Sequence, residues 1–193
     1  MIPAVTAFRL RAGRSDEQLP SGVALVVGIS LLLLRPFGLG APGAVVLFGM
    51  AYLLLGAISV AAPAPRVPPA LLDPLPVLVV GAGAVALAWA AAGPRIPGPA
   101  GHAALVLSTL AAVAEEAFFR RFLYGRLVRY GATAAVCTSA LLFALVHVPA
   151  YGLAAFWVDL GGGLLLSWQR WASGSWAIPA ATHVLANVLA VTV

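Results

Sequence analysis

Long apolar runs dominate the chain, and short segments rich in Pro, Gly and Arg separate them. A helix that crosses a bilayer needs about 20 mostly apolar residues, and its backbone polar groups must be satisfied within the protein. The runs are solidly apolar and lack the alternation of barrel strands, so they predict helices. The sequence therefore predicts an all-α, polytopic transmembrane helical bundle of about seven spans, from apolar runs at residues 21–34, 38–62, 75–92, 102–113, 132–148, 151–168 and 173–193. The first run is short, which leaves open whether it crosses the membrane fully.

The composition excludes most other classes of protein. Of the 193 residues, 62% are hydrophobic and 9% are charged, whereas a soluble domain carries about 25% charged residues. A water-soluble enzyme and a disordered chain are both excluded. The net charge of +5 comes without a basic stripe and interleaved aromatic residues, so we expect no nucleic acid partner. The single cysteine, Cys137, excludes an intramolecular disulfide and a cysteine-based zinc site.

The placement of arginine predicts the orientation, because cytoplasmic loops carry an excess of basic residues. We expect a cytoplasmic N-terminal segment at residues 1–20 and a single membrane domain at residues 21–193. The abundance of Arg, Ala and Gly is typical of a GC-rich bacterial genome. Together with the apolar runs, this composition predicts a multi-pass protein of the bacterial cytoplasmic membrane. With a cytoplasmic N terminus, two arginines fall outside (Arg35 and Arg95) and the other nine fall on the cytoplasmic side: Arg9, Arg11, Arg14, Arg66, Arg120, Arg121, Arg126, Arg129 and Arg170. The small residues at 81–93 indicate close helix packing.

Ionisable residues within apolar helices are costly and usually find partners, so they are the candidate functional residues. Glu115 and Glu116 are adjacent, and Arg120 follows Glu116 by four residues on the same helix face. We expect Arg120 to neutralise Glu116, while Glu115, about 100° around the helix, stays free for chemistry. A solvated ion pair at a cytoplasmic helix end is the alternative. Because Glu115 lies five residues before the first arginine of the basic cluster, we expect the site in the cytoplasmic half of the bundle.

Two further helices carry polar residues at helical spacing. His147 follows Phe143 by four residues, and Asn187 follows His183 by four. Polar side chains from different spans can satisfy one another only by converging, and together these supply a general base, imidazoles and an amide donor for activating water. Asp159 is a further intramembrane acid, which we leave outside the catalytic set. There is no His-Glu-x-x-His helix and no Gly-x-Ser-x-Gly setting for a serine nucleophile.

These motifs resemble the three signatures of the CPBP family, which comprises CAAX prenyl endopeptidases of the Rce type and bacterial Abi proteins. The signatures are Glu-Glu-x-x-x-Arg at 115–120, Phe-x-x-x-His at 143–147 and His-x-x-x-Asn at 183–187, and GGGLLLSWQRWASGSWAIPAATH at 161–183 is similar to the lead-in to the last motif. The resemblance covers residues 100–193, the expected protease core. The first half of the chain is similar only as hydrophobic helices.

The resemblance implies an intramembrane endopeptidase acting on a membrane-anchored or prenyl-like substrate, or on a small peptide. It implies that Glu115, assisted by His147, activates water, that His183 and Asn187 stabilise the oxyanion, and that Glu116 and Arg120 support the site. The family is often described as metalloproteases. One Glu with two His can hold a divalent metal such as zinc, and a metal-free glutamate mechanism fits the same residues. A non-catalytic scaffold or regulator and an ion-coupled carrier are the alternative functions.

Overall fold

The structure, a computed structural model, describes residues 15–38, 43–63, 69–92 and 101–192. Within these ranges the regular structure is helical and contains no strand, which confirms the predicted all-α fold. The helices are α1 Ser15–Leu33, α2 Arg35–Gly38, α3 Ala44–Ala61, α4 Pro74–Ala91, α5 His102–Glu116, α6 Tyr124–Leu127, α7 Ala132–Tyr151, α8 Ala155–Ser173 and α9 Ala177–Thr192.

Within the described ranges, four helical segments are long and apolar enough to cross a membrane: Ala44–Ala61, Pro74–Ala91, His102–Tyr130 and Ala132–Tyr151. Two shorter apolar helices lie at Ser21–Leu33 and Ala177–Thr192. The count of seven spans and the cytoplasmic N terminus therefore stay predictions. Several of the arginines on which the orientation rests lie outside the described residues: Arg9, Arg11, Arg14, Arg66 and Arg95.

The first helix begins earlier than its apolar run. We expected a helix from residue 21, but α1 begins at Ser15. Polar residues do not prevent a helix from starting before its apolar run. The division of the chain into a segment at residues 1–20 and a single domain at 21–193 stays a prediction.

Small residues let the helices approach closely, as the sequence predicted. At Gly81 of α4, an added Cβ would lie 2.0 Å from Nε2 of Gln169 on α8 and 2.8 Å from Oγ1 of Thr182 on α9. That Gln169 amide donates to Thr182 Oγ1 (2.9 Å) and to the backbone oxygen of Val77 (3.0 Å). The three helices thus meet around a buried polar contact that only a glycine at position 81 allows.

A π-helical turn at Ala117–Leu123 continues α5 directly after the two glutamates. Such turns are rare and often occur at functional sites. Two side chains from other helices bind its carbonyl groups: Ser139 Oγ donates to the Phe119 oxygen (3.1 Å), and Arg170 Nε donates to the Arg120 oxygen (2.9 Å). The turn is therefore held by α7 and α8, and it fixes the end of α5 from which the glutamates project.

Candidate active site

Two adjacent carboxylates at the end of α5 form the centre of the site. Glu115 is 2% exposed and Glu116 is fully buried. Buried carboxylates need charged or hydrogen-bonding partners, and the two side chains find different ones. This division agrees with the expectation that they point to different sides of the helix.

Glu116 is bound by the arginine that the sequence predicted and by a histidine. Arg120 Nη1 donates to Glu116 Oε1 at 2.7 Å, and His183 Nδ1 lies 2.9 Å from the same oxygen. Since an ionised carboxylate only accepts, His183 donates from Nδ1. Arg120 is further held because its Nη2 donates to the Gly163 oxygen (3.1 Å) and its guanidinium lies 4.6 Å from the ring centre of Phe143. Glu116 thus links α5 to α9 and fixes the orientation of His183.

Glu115 is not free of arginine, so that expectation is wrong. Arg35, in the segment after α1, donates from Nη1 to Glu115 Oε1 at 2.5 Å. Arg35 is 7% exposed, so its side chain lies inside the protein, and its predicted place on the outer side of the membrane stays a prediction. Sequence reasoning missed it because the pair is 80 residues apart and because an Arg between apolar runs was taken as a loop residue. The sequence contained one indication of a further basic residue. Glu115 had no cation among its predicted partners, and an ionisable residue in an apolar helix usually has one.

The other oxygen of Glu115 faces a histidine from α7. Glu115 Oε2 lies 3.6 Å from His147 Nε2. His147 Nδ1 lies 2.7 Å from the Phe143 oxygen, and because a carbonyl only accepts, Nδ1 carries a proton. The Nε2 atom therefore faces the carboxylate. The predicted packing of Phe143 against His147 is confirmed by a ring-centre distance of 4.5 Å, and Tyr151 stacks on His147 at 5.7 Å.

The structure joins Asn187 to a different helix. Its Nδ2 donates to the backbone oxygen of Ser108 on α5 at 2.9 Å, one helical turn along α9 from His183. The described contacts of Asn187 do not include either carboxylate. Asp159, on α8, is partly buried, and its buried Oδ2 makes no hydrogen bond to the described part of the chain.

A divalent metal does not fit the residues present. Among the described residues, no group of three or more His, Cys, Asp and Glu side chains is placed to hold a metal ion. Each carboxylate already binds an arginine cation, Arg35 on Glu115 and Arg120 on Glu116. Two guanidinium groups at these oxygens would repel a dication, so we derive no step through a metal.

An apolar groove lies at the end of α7, the helix that carries His147. It has a volume of about 420 Å³ and is formed where α7 ends and α8 begins. Its wall includes the two residues that directly follow His147 in the sequence. The lining residues are Leu145, Val148, Pro149, Leu153, Phe156 and Trp157.

In a comparison with known protein families, residues 98–189 match the family described as type II CAAX prenyl endopeptidase Rce1-like. This range contains all six residues that the sequence predicted for the site and leaves out Arg35. Comparison with curated proteins and with solved structures gives no significant match. The match confirms the resemblance that the three motifs indicated: the α5–α9 part of the chain is similar to the Rce1-like CAAX prenyl endopeptidases.

Proposed function

We propose that the protein is an intramembrane endopeptidase that hydrolyses peptide bonds of membrane-associated substrates with a water molecule activated by Glu115. One observation carries the proposal: Glu115 Oε2 and His147 Nε2 face each other at 3.6 Å inside an apolar bundle. The distance is too long for a direct hydrogen bond, and a water molecule that lies beside the two atoms can bind to either of them. A carboxylate and an imidazole on one water are the components of general base catalysis.

The tautomer of His147 supports this assignment. With its Nδ1 proton directed at the Phe143 oxygen (2.7 Å), neutral His147 presents a lone pair at Nε2. A water molecule bound beside these two atoms donates a hydrogen bond to Glu115 or to His147, which leaves its oxygen lone pairs for a substrate carbonyl. As the water attacks, its proton passes to Glu115, which later returns it to the leaving amine.

His183 and Asn187 would stabilise the oxyanion, with Glu116 and Arg120 as supporting residues. Glu116 holds His183 at 2.9 Å, which directs the ring. Asn187 Nδ2 carries two hydrogens, and one of them is used by the Ser108 oxygen. The second hydrogen is available to a substrate.

The family implies membrane-anchored protein substrates in a lipid bilayer, and the apolar groove supports this for the present chain. The groove of about 420 Å³ follows His147 directly, so an apolar anchor seated there would bring the adjoining peptide to Glu115. A soluble peptide without an apolar anchor would gain little binding energy from such an apolar groove.

We propose seven spans with the N terminus in the cytoplasm and the protease core at about residues 100–193. In this topology α1 and α7 both run outward. Arg35 follows α1 by two residues, and His147 lies four residues before the end of α7. The site would therefore lie in the outer half of the bundle. This differs from the cytoplasmic half that the distance to the basic cluster indicated.

The test is cleavage of a panel of membrane-anchored peptides by the purified protein in detergent, with wild type beside Glu115→Ala and products identified by mass. Cleavage by the wild type that is lost in the variant supports the proposal. Equal cleavage by both proteins contradicts the role of Glu115.

A further inference from the structure

The guanidinium of Arg35 has one hydrogen-bonding atom without a partner beside Glu115. Its Nε donates to the Leu32 oxygen (3.1 Å), and its Nη1 donates to Glu115 (2.5 Å) and to the Tyr52 hydroxyl (3.4 Å). Nη2 is buried and makes no hydrogen bond to the described residues. Two of the three nitrogens are therefore fixed, and the third is held in place without an acceptor.

The ion pair is also one-sided. Arginine and carboxylate groups frequently pair through two parallel hydrogen bonds. Here only Nη1 binds Glu115, because the second carboxylate oxygen is directed at His147 (3.6 Å). A buried charged donor that is left without an acceptor is unfavourable, and such a group is suited to bind an oxygen of a ligand.

We propose that Arg35 is a catalytic residue, whose Nη2 binds the carbonyl oxygen of the scissile peptide bond and stabilises the oxyanion formed there. The inference rests on the proposed function. Water held by Glu115 attacks the carbonyl carbon, and a new C–O bond forms while the π electron pair moves to the carbonyl oxygen. Arg35 binds this negative oxygen. When the intermediate collapses, the pair returns, the C–N bond breaks, and the proton on Glu115 passes to the leaving nitrogen.

Arg35 would add a donor to those of His183 and Asn187. Each of these two residues already uses one donor within the protein, His183 on Glu116 and Asn187 on the Ser108 oxygen. Arg35 shares a hydrogen bond with the base itself, so a carbonyl attacked by water on Glu115 lies beside the guanidinium. Loss of one oxyanion donor lowers kcat by about 100-fold to 1000-fold.

The experiment compares wild type, Arg35→Gln and Arg35→Lys, with Arg129→Gln as the control that removes an exposed guanidinium. It measures kcat and KM on a cleaved membrane-anchored peptide, and the affinity for the matching peptide phosphinate, which imitates the tetrahedral intermediate. We expect Arg35→Gln to lower kcat about 100-fold or more with little change in KM. Phosphinate affinity should fall by a similar factor, while Arg35→Lys, which keeps the charge, loses less. Arg129→Gln should match the wild type.

Binding in the Glu115→Gln background separates this role from one of positioning Glu115. If Arg35 contacts the oxyanion, Arg35→Gln still lowers phosphinate affinity there, whereas a residue that acts only through Glu115 has no further effect. Retained kcat and phosphinate affinity in folded Arg35→Gln or Arg35→Lys would overturn the inference and leave the protease intact. Wild-type protein that neither cleaves the panel nor binds the phosphinate would overturn the proposed function, and the inference with it.

Discussion

Arg35 and Glu115 lie 80 residues apart in the sequence and form a buried ion pair at 2.5 Å. The pair joins the segment after α1 to the centre of the Rce1-like region, which begins only at residue 98. The first half of the chain therefore contributes a charged residue to the candidate site. A fragment limited to residues 98–189 would leave the Glu115 carboxylate without this cation.

The pair of Glu116 and Arg120 predicts a strong stability effect. Both side chains are fully buried, so Glu116→Gln leaves a buried guanidinium without its counter-ion and should lower the free energy of unfolding by about 3–5 kcal/mol. The double variant Glu116→Gln/Arg120→Met removes both charges and should regain part of this loss. Thermal unfolding in detergent measures the effect, and a double variant as unstable as the sum of the two single variants would contradict it.

Gly81 and Gly83 form a matched pair on α4. An added methyl group at Gly81 would lie 2.0 Å from Gln169 Nε2, whereas nothing lies within 4 Å of one at Gly83. We expect Gly81→Ala to destabilise the protein by about 1–3 kcal/mol through overpacking, and Gly83→Ala to leave its unfolding temperature unchanged or raise it. Similar unfolding temperatures for the two variants would show that the junction with α8 and α9 is not tight.

Filling the apolar groove should impair substrates that carry a lipid anchor. Leu145 lines the groove, and Leu141, one turn earlier on α7, is similarly exposed and does not. We expect Leu145→Trp to raise KM about tenfold for a lipidated peptide, in the range that apolar pocket contacts contribute, and to leave KM unchanged for the same peptide without lipid. Leu141→Trp is the control. An equal effect on both peptides would place the anchor elsewhere.

The local parts of the site were predictable from the sequence. Glu116 with Arg120 and Phe143 with His147 lie four residues apart on one helix, and helical geometry alone brings such residues together. The contact of Glu116 with His183 was predictable only in general terms. Buried polar groups on separate apolar helices must converge, but the sequence did not specify this pair.

The remaining contacts depend on how distant helices pack. The contact between Arg35 and Glu115 could not be predicted, because the apolar pattern gives the length of a helix but not which other helix lies beside its end. The contact of Asn187 with the Ser108 oxygen depends on the offset between α5 and α9. The π-helical turn depends on partners such as Ser139 and Arg170, which bind its carbonyl groups from other helices.

The orientation can be tested with two single cysteines after Cys137, the only native cysteine, is replaced by Ala. Leu153 lies between α7 and α8, Tyr130 lies before α7, and both are exposed. With a cytoplasmic N terminus and seven spans, a membrane-impermeant maleimide should label Leu153→Cys in intact cells and Tyr130→Cys only after permeabilisation. The reverse pattern would invert the topology and place the site on the cytoplasmic side.

The most direct test of the central claim is the turnover rate of Glu115→Gln on a membrane-anchored peptide that the wild type cleaves. Gln keeps an oxygen that can accept from Arg35 but cannot accept a proton from water. We expect kcat to fall by about 100-fold to 10,000-fold in protein that remains folded, with a lower unfolding temperature because buried Arg35 loses its counter-ion. Asp73→Asn, which neutralises an exposed acid before α4, should turn over like the wild type. Turnover by Glu115→Gln at the rate of Asp73→Asn would show that Glu115 does not activate the water.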